Sequence, residues 1–168
     1  VHWRMNEVLK GSRSLRDADP ERKKYFLVGT DCDKFNIHRA ECDEVFLCPK
    51  ADDPQYMPFI LEIIRKKSIN VLHSQPESEA YVIGKNRQKI TDTGCRLFMP
   101  EQAIIELLRD KGKSYHLWKN AGIKVPENID LNNANDLKAA FERFGSDIWI
   151  RETVGAAGKG ALSRPTYE

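Results

Sequence analysis

Short apolar runs alternate with helix-patterned stretches along most of this 168-residue chain, and that alternation restricts the fold more than any other feature. Tyr25-Phe26-Leu27-Val28, Glu44-Val45-Phe46-Leu47-Cys48, Ile69-Asn70-Val71-Leu72-His73 and Cys95-Arg96-Leu97-Phe98 each have the length of a strand. Between the second and third, Asp53-Pro54 opens a helix, with Asp as N-cap and Pro at the first helical position. Phe59, Ile60, Ile63 and Ile64 recur at helical spacing along its inward face. Ser74-Gln75-Pro76-Glu77 opens the next helix, which the pattern carries to about Lys89. Strand and helix in succession build an α/β fold with a parallel sheet. Such strands are covered on both faces, which is why Tyr25–Val28 is apolar throughout.

The rest of the chain continues the pattern. Asn6 to Leu15 reads as a helix and Asp17 to Lys24 as a charged loop. Pro100 begins a helix with Ile104, Ile105, Leu107 and Leu108 inward. A shorter helix runs from about Gly112 to Asn120 and is stopped by Gly122. Ile123 to Pro126 is extended, because a residue before Pro avoids helical backbone. Asn133 or Asn135 caps a helix whose Leu137, Phe141 and Phe144 share a face, and Gly145 ends it.

Composition excludes several classes. Charged residues make up 31% with a net charge of +2, which argues against a binder of nucleic acid through a basic surface. No apolar run has the length of a membrane span, and no secretory signal is visible. Cys32, Cys42, Cys48 and Cys95 contain no C-x-x-C pair, and His2, His38, His73 and His116 show no metal spacing. Cys48 reads as a small buried apolar residue, and a reducing cytoplasm fits the set.

The strongest site signal lies near the end. Ile148-Trp149-Ile150-Arg151 is a strand ending in a cation, and Gly155-Ala156-Ala157-Gly158-Lys159-Gly160 follows it. Residues this small let main-chain N–H groups approach a ligand, and successive N–H groups form an anion-binding concavity. Arg151 and Lys159 bracket it with positive charge. The spacing matches neither a Walker A loop nor a G-x-G-x-x-G fingerprint. A plain turn between two strands is the competing reading.

Taken in order, these landmarks resemble the ATP-grasp superfamily, and within it the carbamoyl-phosphate-synthase-like enzymes. Gly29-Thr30-Asp31 closes an early strand, and Cys42-Asp43-Glu44-Val45 precedes the next, ending at Pro49. Tyr56 to Ile64 resembles the long helix that follows. Ser74-Gln75-Pro76-Glu77-Ser78-Glu79 resembles the loop after the third strand, where such proteins carry an acidic residue. Asp110-Lys111 resembles the opening of the ATP-grasp region, and Ala121-Gly122-Ile123-Lys124-Val125-Pro126 its "aGi-vP" signature. Trp149-Ile150-Arg151 and Gly155 to Gly160 resemble the nucleotide-contacting strand and the Gly-rich flap.

The resemblance implies a Rossmann-like pre-ATP-grasp domain over residues 1–99, without its first strand, and a truncated start of an α+β ATP-grasp domain over 100–168. The chain begins with a helix where that fold begins with a strand, and Val1 is not an initiator Met, so a fragment is expected. It implies ATP and Mg²⁺ as cofactors and a small-molecule carboxylate as substrate, with no nucleic-acid or membrane partner. The carboxylate would attack the γ-phosphate, and an amine would then displace phosphate from the acylphosphate. Lys111 and Arg151 would face the phosphates, and Gly155, Ala156, Ala157, Gly158, Lys159 and Gly160 would close over them. The family usually has Lys where Arg151 stands; Arg keeps the charge and adds a fork suited to phosphate oxygens. The metal ligands would lie C-terminal of Glu168, so the fragment itself would lack turnover.

Other residues have plainer readings. Asp31 is expected to serve as a turn or cap, Glu77 and Glu79 to sit at an exposed helix start, and Trp118 and Trp149 to be core or subdomain-packing residues. A non-catalytic Rossmann-like nucleotide-binding or interaction module is the alternative function. An NAD-dependent or sugar-nucleotide enzyme would need a G-x-G-x-x-G after a first strand, which these residues do not contain.

Overall fold

The computed structural model describes residues 7–155, 158 and 160–163. The chain divides into two compact units, Val1–Pro100 and Glu101–Glu168. The first carries α1 (Glu7–Ala18), β1 (Val28–Asp31), α2 (Lys34–Ile37), β2 (Glu44–Leu47), α3 (Tyr56–Lys66), β3 (Val71–Leu72), α4 (Glu77–Lys85), α5 (Arg87–Thr91) and β4 (Arg96–Leu97). β1 and β2 run parallel, with Val28 opposite Glu44 and Asp31 opposite Leu47. β3 and β4 are also parallel, with Val71 opposite Arg96. Among the described residues these are two separate parallel pairs.

The core of this unit is built on one face of α3. Tyr56, Met57, Ile60 and Ile64 pack with Cys48, Ile83, Ile90 and Cys95, and Leu72 and Leu97 lie against them. The helical spacing of α3 anticipated that face. Its start differs from the expectation: the helix begins at Tyr56, and Asp53 instead accepts the Gln55 N–H at 2.8 Å in a turn one step earlier. The helix expected to reach Lys89 breaks at Asn86, whose side-chain amide donates to Val82 O at 2.9 Å. A side chain that competes for helix carbonyls in this way favours a helix end.

The first strand is displaced from the apolar run that predicted it. Tyr25 and Phe26 are exposed, and pairing begins only at Val28. Two carboxylates cause this, Asp19 buried and Asp43 half-buried. Asp19 accepts the N–H groups of Lys23, Lys24 and Tyr25, which turns that segment around its carboxylate. Asp43 accepts the Leu27 N–H at 2.7 Å, the Arg16 guanidinium at 2.8 Å and the Arg22 guanidinium at 3.1 Å. Arg16 lies on α1, which extends through the residues read as a charged loop as far as Ala18. Ser12, one turn earlier on α1, accepts the Glu41 N–H at 3.0 Å. Asp43 therefore ties α1, the loop after it and the lead-in to β1 to the start of β2.

The second unit carries α6 (Gln102–Arg109), α7 (Lys111–Asn120), α8 (Ala134–Phe144), β5 (Trp149–Arg151) and β6 (Ala161–Ser163). α8 opens with a capping box: Asn133 accepts from Asn135 and Asp136 N–H groups, and Asp136 returns a bond to the Asn133 N–H. Gly145 ends it with φ of 70°, a conformation that favours glycine. Leu137, Phe141 and Phe144, which the spacing placed on one face, are all half-buried, and Ala140 beside them is buried. α6 departs from the expectation. Ile105 is buried, whereas Ile104 and Leu108 are 46% and 51% exposed, because this eight-residue helix buries a single stripe. β5 and β6 pair antiparallel, with Trp149 opposite Ser163 and Arg151 opposite Ala161. Trp149 and Trp118 are 66% and 44% exposed, so neither is a core residue among the described residues.

The Asp43 clasp predicts acid sensitivity. The Leu27 N–H bond, aided by both guanidinium groups, outweighs burial and holds the Asp43 carboxyl below its ordinary value of 3.8. Burial works against the Asp19 charge, but the Tyr25, Lys24 and Lys23 N–H bonds and Arg16 outweigh it and lower that carboxyl too. A lowered native value gives stability that is present above the ordinary value and lost as pH falls through the native one. Asp43→Ala leaves the buried Arg16 cation unpaired and is expected to cost about 3 kcal/mol in denaturant unfolding at neutral pH. Asp43→Asn should flatten the loss of stability below pH ~4 relative to wild type.

Candidate functional site

The candidate site is the hairpin of the second unit and the helix start that grips it. β5 delivers Arg151 to the mouth of the loop, and β6 returns from it. The Arg151 side chain is exposed and makes no hydrogen bond or ion pair with another described residue. Its neighbour Glu152 closes the loop through the main chain, donating its N–H to Gly160 O at 3.2 Å. The Ala161 N–H donates to Gly158 O at 3.2 Å.

Three glycines of the loop hold conformations that residues with a Cβ rarely adopt. Their φ angles are 140° at Gly155, 75° at Gly158 and 64° at Gly160. Space adds to the constraint at Gly160, where a Cβ would collide with the Glu152 side chain. Ala156, Ala157 and Lys159, read from the sequence as part of the same loop, lie outside the described residues.

Lys111 reaches this loop from α7. Asp110 caps that helix by accepting the Lys113 N–H at 3.1 Å, which makes Lys111 the first residue of the helix. The segment before the cap pairs with the hairpin through an antiparallel bridge between Asp110 and Val154. The Lys111 N–H donates to Thr153 O at 2.8 Å, and its ammonium donates to Gly155 O at 2.6 Å and Thr153 O at 3.3 Å. So the structure joins Lys111 to Gly155, with Arg151 four residues upstream on β5. The ammonium is already gripping main-chain carbonyls. Carbonyls satisfy an ammonium without cancelling its charge, so the base of the loop stays positive.

A second polar cluster lies at the strand ends of the first unit. Glu79, expected at an exposed helix start, is half-buried, accepts Ser74 Oγ–H at 3.2 Å and lies close enough to the buried Tyr56 hydroxyl to act on it. Burial, and then the Glu79 charge, push the Tyr56 hydroxyl far up. Burial, Glu79 and Cys32 push the Cys48 thiol up to about 12. Burial, Asp31 and Glu79 raise Cys32 as well. Both thiols therefore stay protonated near neutral pH and are poor nucleophiles. Asp31 serves as a turn, accepting the Asp33 N–H at 2.8 Å and the Asn36 amide at 3.0 Å. Sequence reasoning missed the Tyr56–Glu79 link, because the two residues are joined only when α3 and α4 pack. Among the described residues no group of His, Cys, Asp and Glu is arranged to hold a metal ion. No helix among them is long and apolar enough to cross a membrane.

Comparison with known proteins assigns the class. Residues 15–98 match the family model of the PylC-like N-terminal domain. The chain belongs to that family. No curated protein sequence matches it significantly. Among solved structures it is similar to the biotin carboxylase domain dimer of Hydrogenobacter thermophilus 2-oxoglutarate carboxylase, in complex with MgADP, ADP and bicarbonate. The TM-score is 0.61 at 18% identity, over 93% of this chain and 34% of that one. It is similar too to the biotin carboxylase domain of a single-chain bacterial carboxylase, with a TM-score of 0.59 at 12% identity over 88% of this chain and 34% of that one. N5-carboxyaminoimidazole ribonucleotide synthetase from Thermotoga maritima matches with a TM-score of 0.59 at 16% identity, over 89% of this chain and 37% of its own. The fold is that of the N-terminal portion of ATP-grasp enzymes. The chain spans about a third of the length of these structures.

The loop geometry predicts a graded response to substitution. Gly160→Ala carries both a backbone penalty and a collision with Glu152, and should cost about 2 kcal/mol or more in thermal or denaturant unfolding. Gly94→Ala at φ 86° meets nothing within 4 Å and should cost about 1 kcal/mol. Adding Glu152→Ala to Gly160→Ala should recover the steric part of the loss, measured as a double-mutant cycle.

Proposed function

We propose that the second unit holds the phosphates of ATP, and that the full-length protein is an ATP-dependent carboxylate–amine ligase. The observation that carries this reading is the base of the Gly-rich loop. There an ammonium keeps its charge against main-chain carbonyls, beside an exposed Arg151 and glycines in positive-φ backbone. Exposed N–H groups and uncancelled cations are what an anionic polyphosphate requires. Ala156, Ala157 and Lys159 belong to the proposed site on sequence grounds. The ADP-bound neighbour supports the same assignment by fold.

In the reaction we infer, a carboxylate oxygen attacks the γ-phosphorus and the bond to the β-phosphate oxygen breaks, releasing ADP. An amine then attacks the acyl carbon, the C–O bond to phosphate breaks, and the amine loses a proton. Arg151 and the loop would orient the triphosphate and offset charge that builds on its bridging oxygen. Mg²⁺ would accompany the triphosphate and offset its charge, with ligands expected C-terminal of Glu168; the described residues offer no ligand cluster for it. We further propose that the two units correspond to a pre-ATP-grasp domain (1–99) and the opening of an ATP-grasp domain (100–168), related to carbamoyl-phosphate-synthase-like proteins. Two separate parallel pairs in the first unit support a sheet completed by a further strand, since isolated two-stranded sheets are marginal.

The test is an assay of ADP and phosphate release by the complete reading frame, against panels of carboxylates and amines. Turnover should depend on a carboxylate. Arg151→Ala should lower kcat/KM by about a hundredfold, as loss of a charge-assisted phosphate contact does. Absence of nucleotide binding by calorimetry would leave the loop as a turn and favour an interaction module.

A further inference from the structure

β1 and β2 are each followed at once by a cysteine, Cys32 and Cys48. The strands pair parallel, with Thr30 opposite Phe46 and Asp31 opposite Leu47. The Cys48 N–H donates to Asp31 O at 3.0 Å, so the pairing runs one step past Leu47. The residue next in register with Cys48 is Cys32. Side chains alternate faces along a strand, so Thr30 and Cys32 share one face of β1, and Phe46 and Cys48 share the matching face of β2. After burial and Glu79, the groups that shift the Cys48 thiol are Cys32 and Thr30, both on that face. Neighbouring strands run about 4.8 Å apart, and a disulfide spans Cα separations of about 4.4–6.8 Å. Cys32 is exposed and Cys48 is buried, so one thiol meets solvent and the other lies behind it. Cys42 stands before β2, at the opposite end of that strand from Cys48.

We propose that Cys32 and Cys48 form a redox latch, closed as a disulfide by exchange with a small-molecule disulfide of the glutathione class. The Cys32 thiol gives up its proton, its sulfur attacks one sulfur of oxidised glutathione, and one glutathione leaves as thiolate. The Cys48 thiol then gives up its proton, its sulfur attacks Cys32 Sγ, and the second glutathione leaves as thiolate. Two protein thiols are oxidised to one S–S bond, one glutathione disulfide is reduced to two thiols, and the two protons end on the leaving sulfurs. Burial, with the carboxylates of Glu79 and Asp31 beside the pair, opposes both thiolates and keeps the latch slow to close. The second exchange is helped by proximity, since the attacking sulfur is held in register with its target. The closed latch ties the carboxyl ends of β1 and β2 and restricts the unfolded chain between residues 32 and 48. A two-stranded sheet is marginal by itself, so a covalent tie at its end acts where the unit is weakest. The latch does not depend on the nucleotide reading.

The experiment incubates the folded full chain, as wild type, Cys32→Ser and Cys48→Ala, with excess oxidised glutathione. Remaining thiols are then blocked with N-ethylmaleimide in denaturant, and the peptides are mapped by mass spectrometry. In wild type the peptides holding Cys32 and Cys48 should be joined, with Cys42 and Cys95 blocked as free thiols. Cys48→Ala should hold glutathione on Cys32 about tenfold longer than wild type or more, because the displacing sulfur is gone. Cys32→Ser should leave Cys48 unmodified. The joined form should unfold at a higher denaturant concentration than the reduced form, and dithiothreitol should reverse the shift. The wild-type map decides the bridge even where a variant fails to fold. Glutathione resting on Cys32 of the wild type without a joined peptide overturns the proposal. So does a bridge to Cys42, to Cys95 or to a second copy, and so does the absence of reaction at both thiols. A Cys32–Cys48 bridge that leaves the unfolding midpoint unchanged, or lowers it, overturns the latch.

Discussion

The grip of Lys111 on the carbonyls of Thr153 and Gly155 joins the two halves of the second unit's chemistry. It adds to the short bridge at Asp110 and Val154 that pairs the start of α7 with the hairpin. The bond at 2.6 Å from an uncancelled ammonium is charge-assisted and about twice as strong as a neutral one. It requires Asp110 to cap α7, because the cap sets where the helix starts and hence where Lys111 points. It also requires glycine at 155, because only glycine presents its carbonyl readily from that backbone. Cap, lysine and glycine form one device spread over more than forty residues of sequence.

The first unit depends on a different use of charge. Asp43 is 14% exposed and Arg16 is 9% exposed in their side chains, and their pair sits where a helix ends and a loop and two strands begin. A buried pair of this kind adds little stability over well-packed apolar groups, but breaking it leaves a charge stranded. It therefore specifies register more than it strengthens the unit: with Leu27 held by Asp43, pairing starts at Val28. The apolar core on α3 supplies the burial, and the carboxylates decide which residues reach the sheet.

How far the sequence could be read follows from how local each signal is. The inward face of α3, the α8 cap (narrowed to Asn133 or Asn135) and the Gly145 stop depend on neighbours within a turn or two, and all were legible. The strand at Tyr25–Val28 was misplaced because Asp19 and Asp43 draw that segment away, and Asp43 is sixteen residues from Leu27. Glu79 was read as exposed because Tyr56, its partner, lies on another helix. β6 entered only through the competing reading of a turn between two strands, since three residues after a Gly-rich loop form no pattern of their own. In the site, Arg151 and the glycines were visible as residue types. The carbonyl partners of Lys111 were not, because main-chain acceptors have no sequence signature.

The family and fold place this chain among the N-terminal portions of ATP-grasp enzymes, and the hairpin is where its own residues speak to function. The central claim is that this hairpin recognises phosphate rather than merely turning the chain. The most direct measurement is a titration of the isotopically labelled full-length protein with AMP, ADP and ATP in Mg²⁺, following the backbone amide resonances of Gly155, Gly158 and Gly160. The account predicts shifts that grow with the number of phosphates, smallest for AMP and largest for ATP. Glycine amides that stay still through the whole series, or that move equally with AMP and ATP, would contradict it.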